Sequence, residues 1–169
     1  MLRASRHLAF LAALVAGLAA GATVSVGDDD RRSAPGSWLD AHVVRVVDGD
    51  TIVVRIGERV EKVRYIGVNA PELHHPKRGE EPGGREAARV NRALVEGARV
   101  HLELDVRHRD RYGRLLAYVW VGDLMVNAEL VRRGYAQVMT VPPNVRYQDL
   151  FLKFQRDASQ AGRGLWRRP

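Results

Sequence analysis

Five or more short strand-like runs, a helical stretch between the third and fourth, and two more helical stretches near the end predict an α+β chain. The order fits a small five-stranded OB-type β-barrel with about three packed helices. The central observation is the stretch from Val46 to Glu72. There an Asp48-Gly49-Asp50 turn joins two apolar runs, and the second closes on Asn69-Ala70-Pro71-Glu72. Alternating Val, Ile, Thr and Tyr on either side of Gly57-Glu58 favour paired strands over helix.

Taken from the start, Met1 to His7 carries Arg3 and Arg6, and Leu8 to Gly27 is uncharged and mostly apolar. With the small residues Ala20-Gly21-Ala22, residues 1–27 read as a signal peptide or an uncleaved N-terminal membrane anchor. The chain is therefore expected to be exported (secreted or periplasmic) or tethered to a membrane. Residues 28–37 read as a polar linker and residues 38–169 as one folded domain.

Within the domain, strands are predicted over Trp38–Val47, Thr51–Ile56 and Val60–Val68. Leu73 to Gly84 has no periodicity and reads as a loop. From Arg85 the apolar residues Ala87, Val90, Ala93 and Leu94 recur at helical spacing until Gly97. Val100–Val106 and Leu115–Val121 alternate as strands around the charged loop Arg107–Gly113, and Gly122-Asp123 makes a hairpin turn. Asn127 is placed to cap a short helix ending at Gly134. Tyr135–Val141 reads as extended. A last helix is expected from Asn144 or Arg146 to Gly162, with Leu150, Phe151, Phe154, Ala158 and Ala161 as its buried stripe.

The composition narrows the function classes. The net charge is +7 and the isoelectric point about 10.3. From Ser37 onward 23 Lys and Arg stand against 17 Asp and Glu, which favours a polyanionic partner such as nucleic acid, or an anionic membrane surface. No cysteine is present, which excludes disulfides, thiolate metal sites and a lipid-modified cysteine. The adjacent His74 and His75 have no partner motif and read as solvated loop residues. Arg107, His108, Arg109 and Arg111 form a basic loop suited to guiding a phosphate backbone.

An Asp-Gly-Asp turn is common and, alone, usually structural, since its first acid can bond its own backbone. It gains weight beside Arg64 and Glu72 at the end of the paired strand, and beside Asp110-Arg111-Tyr112-Gly113-Arg114 leading into the next strong strand. Acids and arginines on rigid strand ends can hold a cation and a phosphate together.

At these residues the chain resembles the staphylococcal nuclease (thermonuclease) family. The resemblance rests on Val47-Asp48-Gly49-Asp50-Thr51, Val63-Arg64 through Ala70-Pro71-Glu72, Asp110 through Tyr118 and Val126-Asn127 through Gly134, and runs from Trp38 to Gly164-Leu165-Trp166. It implies a calcium-dependent, sugar-non-specific endonuclease acting on DNA and RNA; separately, no association stripe remains once the helices are packed, so a monomer is expected. Asp50 would be the direct carboxylate ligand of Ca2+, with Asn69 and the backbone carbonyl of Ala70 beside it. Arg64 and Arg114 would grip the scissile phosphate, Glu72 would sit near the attacking water, and Arg111 and Tyr112 would bind substrate.

Two departures from the family pattern are expected to matter. Asn69 stands where a second carboxylate ligand is usual, which predicts weak calcium binding. Thr140 and Pro142 stand where tyrosines often meet the nucleotide, which predicts looser stacking. The rival readings are a non-catalytic OB-type nucleic-acid-binding module and, more remotely, a basic membrane-surface domain. A pure binder has no need of Asp50, Arg64, Glu72 and Arg114 together.

Overall fold

The computed structural model describes residues 36–73 and 79–167. The leader, almost all of the linker, and the His74-His75 pair lie outside these residues. Strands β1 (Trp38–Asp48), β2 (Thr51–Ile56) and β3 (Arg59–Tyr65) form an antiparallel meander. β5 (Arg99–Glu103) pairs with β1 and with β6 (Leu115–Val121), and β6 closes the barrel by a parallel pairing with β3. The five strands therefore close in the order β1-β2-β3-β6-β5. Two small ladders are added: β7 (Leu124–Met125) on β6, and β4 (Val68–Asn69) against β8 (Gln137–Val138).

Alternation sets the core. Val43, Ile52, Val54, Val63, Leu102 and Leu115 point inward and are buried, while the residues between them face outward. Helix α1 (Gly84–Val95) packs Ala87, Ala88 and Val90 against β1. Helices α2 (Val126–Arg132) and α3 (Gln148–Gln160) pack on each other. Among the described residues no helix is long and apolar enough to cross a membrane.

Four expectations change. The run Val60–Val68 is one apolar pattern but two strands, because the chain turns at Gly67 (φ +78°), where a Cβ would meet the Phe151 ring at 2.7 Å. Val100–Val106 leaves the sheet after Glu103, where the Leu104 N–H turns to the Ser37 carbonyl. Asn127 is no cap. It lies inside α2, fully buried, where it accepts a bond from the Val119 N–H (2.8 Å) and donates to the carbonyls of Ile66 (3.0 Å) and Ala117. Finally α3 starts only at Gln148, and of its expected stripe Phe151 and Ala158 are buried, Phe154 is half-buried, and Leu150 and Ala161 are exposed.

Asn144 and Arg146, at the expected start of α3, work at longer range. Asn144 exchanges two 2.7 Å hydrogen bonds with the Arg107 backbone. Arg146 and the Tyr147 hydroxyl bind the buried carboxylate of Glu103, which also accepts from the Trp120 indole. Tyr147 stacks edge-on against Tyr118, whose hydroxyl donates to buried Asp105. These bonds pin the segment before α3 to the barrel, and so position Val141 and Asn144 beside the site described next.

Removing the Asn127 side chain strands the Val119 N–H and the Ile66 carbonyl, each worth about 1–3 kcal/mol when unsatisfied, while the Ala117 carbonyl keeps the Ile66 N–H. Asn127→Ala is expected to lower the unfolding free energy by at least about 2 kcal/mol in urea denaturation, with an unchanged m-value.

Candidate active site

The site grows from the two-residue connection between β1 and β2. Asp48 faces Thr51 across it, and the Asp48 carboxylate accepts from the Asp50 N–H (3.2 Å), a local turn bond. Gly49 lies so close to helix α1 and the end of β4 that an added Cβ would stand 2.5 Å from Ala70 Cβ and 2.8 Å from Ala87 Cβ. This contact holds the turn inward and buries Asp50, which is only 2% exposed.

Buried, Asp50 must be bonded. Its Oδ1 accepts from the Thr51 hydroxyl (3.0 Å), and its Oδ2 accepts from the Ala70 N–H (2.6 Å) and pairs with Arg64 Nη2 (3.0 Å). Arg64, on the last turn of β3, is itself 7% exposed. Its Nη1 donates to the carbonyls of Tyr65 (2.9 Å) and Val68 (2.8 Å), and its Nη2 donates to Asn69 Oδ1 (3.0 Å). Both terminal nitrogens are thus fully committed, and Nε–H is the donor left over.

Burial pushes the Asp50 carboxyl up to about 7, against the pull of Arg64 and with a further push from Asp48. Glu72 is raised as well, chiefly by burial and then by Asp48 and Glu81, with Arg64 and Arg114 opposing. Asp48 is therefore within electrostatic reach of both Asp50 and Glu72.

The second half of the site is the loop before β6. Burial would raise Asp110, but hydrogen bonds from Arg114 outweigh it and hold the carboxyl below its usual range. The Asp110 carboxylate accepts from the backbone N–H groups of Tyr112 (2.9 Å) and Arg114 (3.0 Å), and from Arg114 Nε (2.6 Å). Arg114 is anchored through Nε, which leaves Nη1 and Nη2 as donors. The guanidinium carbons of Arg111 and Arg114 lie 4.7 Å and 5.5 Å from the centroid of the Tyr112 ring, and that side chain is two-thirds exposed.

Arg64, Asn69, Glu72, Arg111, Tyr112 and Arg114 all line one open cleft of about 460 Å³. Asp50 and Ala70 lie behind its wall rather than on it. The basic loop divides: Arg107 and Arg111 reach the cleft, but Arg109 is tied to Glu61 (3.0 Å) and to the Gly113 carbonyl. The cleft also contains Asp110 and Leu116 of the quoted motif, to which the resemblance gives no role, and Met139, Val141 and Asn144, which lie outside every motif. In the extended segment after β8, Met139 and Val141 line the cleft, whereas the expected positions Thr140 and Pro142 do not. Only the alternation of that segment could have signalled the one-residue offset.

The donors suit a hard cation. Asp50 offers a carboxylate whose charge is poorly compensated where it is buried, and Asn69 and Ala70 offer neutral oxygens. Among the described residues no three His, Asp or Glu side chains converge closely enough to hold a metal unaided. A cation here would rely on one carboxylate, neutral oxygens and waters, and would compete with Arg64 for both Asp50 and Asn69.

A closed five-stranded OB-type barrel, with arginines and acids gathered at one cleft on its rim, defines an anion-binding OB domain. The chain belongs to the staphylococcal nuclease family: residues 62–168 match the family described as staphylococcal nuclease homologue. It is 40% identical over 126 residues to "Thermonuclease" from Staphylococcus intermedius, covering 75% of each chain. It is 38% identical over 124 residues to "Thermonuclease" from Staphylococcus hyicus, covering 73% of each. It is also 38% identical over 130 residues to "SPbeta prophage-derived endonuclease YokF" from Bacillus subtilis, covering 76% of this chain and 44% of that one.

The Asp50 shift has a signed consequence for stability. The folded-state value lies above the unfolded one, so folding is favoured below about pH 4 and loses that contribution as pH rises toward 7. In chelator, the stability of wild type relative to Asp50→Asn is expected to fall by more than about 1 kcal/mol between pH 4 and 7.5. Denaturant titrations at the two pH values measure it, and parallel pH profiles for the two proteins would contradict it.

Proposed function

We propose that the chain is a nuclease that hydrolyses phosphodiester bonds of DNA and RNA with the help of calcium. The observation that carries this reading is the cleft in which Arg64 and Arg114 face the same space as Glu72. A phosphodiester is anionic and gathers more negative charge in its transition state, so cations held rigidly around it lower the barrier. Arginine suits the task because its planar fork matches two phosphate oxygens at once.

The roles follow from the bonds. Arg114, fixed at Nε by Asp110, offers its outer edge to a phosphate. Arg64 supplies a fixed positive charge and its Nε–H, its other donors being spent on the barrel. Glu72, only part-buried and raised in pKa, stands at the same cleft as the acid that orients the attacking water or takes its proton. Tyr112, stiffened by Arg111 and Arg114, offers a face for a base, and Met139 and Val141 extend it with softer apolar contact. Asp50, Asn69 and the Ala70 carbonyl would hold Ca2+, which would add charge neutralisation of the phosphate when bound. With one carboxylate in that set, calcium affinity should be weak.

The test is incubation of the purified domain with single- and double-stranded DNA and RNA, with calcium or with a chelator. Cleavage of all four with calcium, and none with chelator, is expected. Arg114→Gln should lose on the order of 10²–10³ in kcat while keeping its melting temperature. Binding without cleavage would overturn the reading in favour of a non-catalytic module.

A further inference from the structure

The outer wall of the barrel, away from the cleft, carries cations that the proposed chemistry does not use. His42 on β1 sits in register between Arg99 of β5 and Arg55 of β2. Past the irregularity at Val44, Arg45 and Lys62 flank Val53 in the next outward-facing row. Their neighbours Val43, Ile52, Val54, Val63 and Val100 all point into the core, so these five side chains point out, and all five are exposed.

Arg64, Arg109, Arg114 and Arg146 are each bound to a carboxylate. In contrast, Arg45, Arg55, Lys62 and Arg99 make no ion pair among the described residues. The acids at the border do not compensate them: Asp40 is held by His101 at 2.6 Å, Glu61 by Arg109, and Glu58 lies out in the β2–β3 turn. Within each row the cations stand two strands apart, with His42 or Val53 between them, and no carboxylate intervenes. A polyanion laid over them would supply the missing negative charge.

Strand geometry also sets the spacing. Neighbouring strands lie about 4.8 Å apart and same-face residues about 6.8 Å apart along a strand. The cations therefore form a rigid grid roughly 10 by 7 Å, on the scale of successive backbone phosphates. The apolar side chains exposed among them are two valines, Val44 and Val60; no Trp, Phe or Leu stands between the cations, as a surface that enters a lipid interface would need.

We infer that the outer wall formed by β5, β1, β2 and β3 is a second, sequence-independent contact for the phosphate backbone of nucleic acid extending beyond the cleft. It rests on nucleic acid being the substrate, but it makes a binding prediction that holds whether or not the cleft cuts.

The experiment uses the domain in chelator with a long DNA duplex, read by fluorescence anisotropy over a salt series. The variant Arg55→Gln/Lys62→Gln/Arg99→Gln should bind about tenfold or more weakly at low salt. The slope of log K against log salt should shrink by about 2–3, one phosphate contact per lost cation. With calcium, its kcat/KM on the duplex should fall, while hydrolysis of a single-phosphodiester substrate too short to reach the wall should not change. The charge-matched control Arg89→Gln/Lys153→Gln/Arg156→Gln, on α1 and α3, should bind as wild type does.

Unchanged duplex affinity and slope, or equal weakening by the control, would overturn the inference. So would loss of binding to phosphatidylserine vesicles with DNA binding intact, which would assign the wall to membranes. A readout independent of the triple variant's folding uses the absence of cysteine. Arg55→Cys carrying a photo-crosslinker should capture duplex DNA and Lys153→Cys should not; the reverse pattern contradicts the inference.

Discussion

The buried pairing of Asp50 with Arg64 is the constraint around which the rest of the site is arranged. It joins three separate pieces of backbone: the β1–β2 turn, the end of β3, and the Val68–Ala70 segment. Asp50 draws in the Ala70 N–H, and Arg64 gathers the carbonyls of Tyr65 and Val68 together with the Asn69 side chain. The Ala70 N–H and the Tyr65 and Val68 carbonyls belong to buried residues, where polar groups need partners, whereas Asn69 is exposed. The pair does not fully neutralise itself, since burial still holds Asp50 high with Asp48 beside it. In the proposed nuclease that uncompensated charge is what would draw a hard cation to Asp50. It also explains why Arg64 can be charged and fixed while having few donors to spare.

The remaining cations sort by what holds them. Asp110 fixes Arg114 at one edge and leaves the other edge open, so the arginine is oriented without being used up. Arg109 looks equivalent in sequence but is consumed in bracing the loop against Glu61 and Gly113. Among the described residues the cations on the outer wall have no such acid partners. Charge in this domain thus falls into three kinds: structural, oriented toward the cleft, and unpaired on the sheet face.

Much of this was legible in the sequence because period-2 alternation and turn residues report directly on strands that bury one face. β1, β2, β6 and α1 lie within a residue or two of where the pattern puts them. Family motifs brought Arg64, Asn69, Glu72, Arg111, Tyr112 and Arg114 to the same cleft. What the sequence hid were residues whose local role is overridden by distant contacts. Asn127 reads as a cap and Asn144 as a helix start, but both bond segments far away in the chain, and no local pattern records such partners. Gly67 breaks one apolar run into two strands because Phe151, 84 positions later, needs the space. The burial of Asp50, likewise, follows from Gly49 meeting α1 and Ala70, not from the turn motif itself.

A double-mutant cycle of Asp50→Asn and Arg64→Gln, by denaturant unfolding in chelator, tests directly whether Asp50 and Arg64 act as one coupled unit. At pH 8, where Asp50 is charged, the two changes should be coupled by more than about 1 kcal/mol, and at pH 5 the coupling should shrink. Additive effects at pH 8, within about 0.5 kcal/mol, would contradict it.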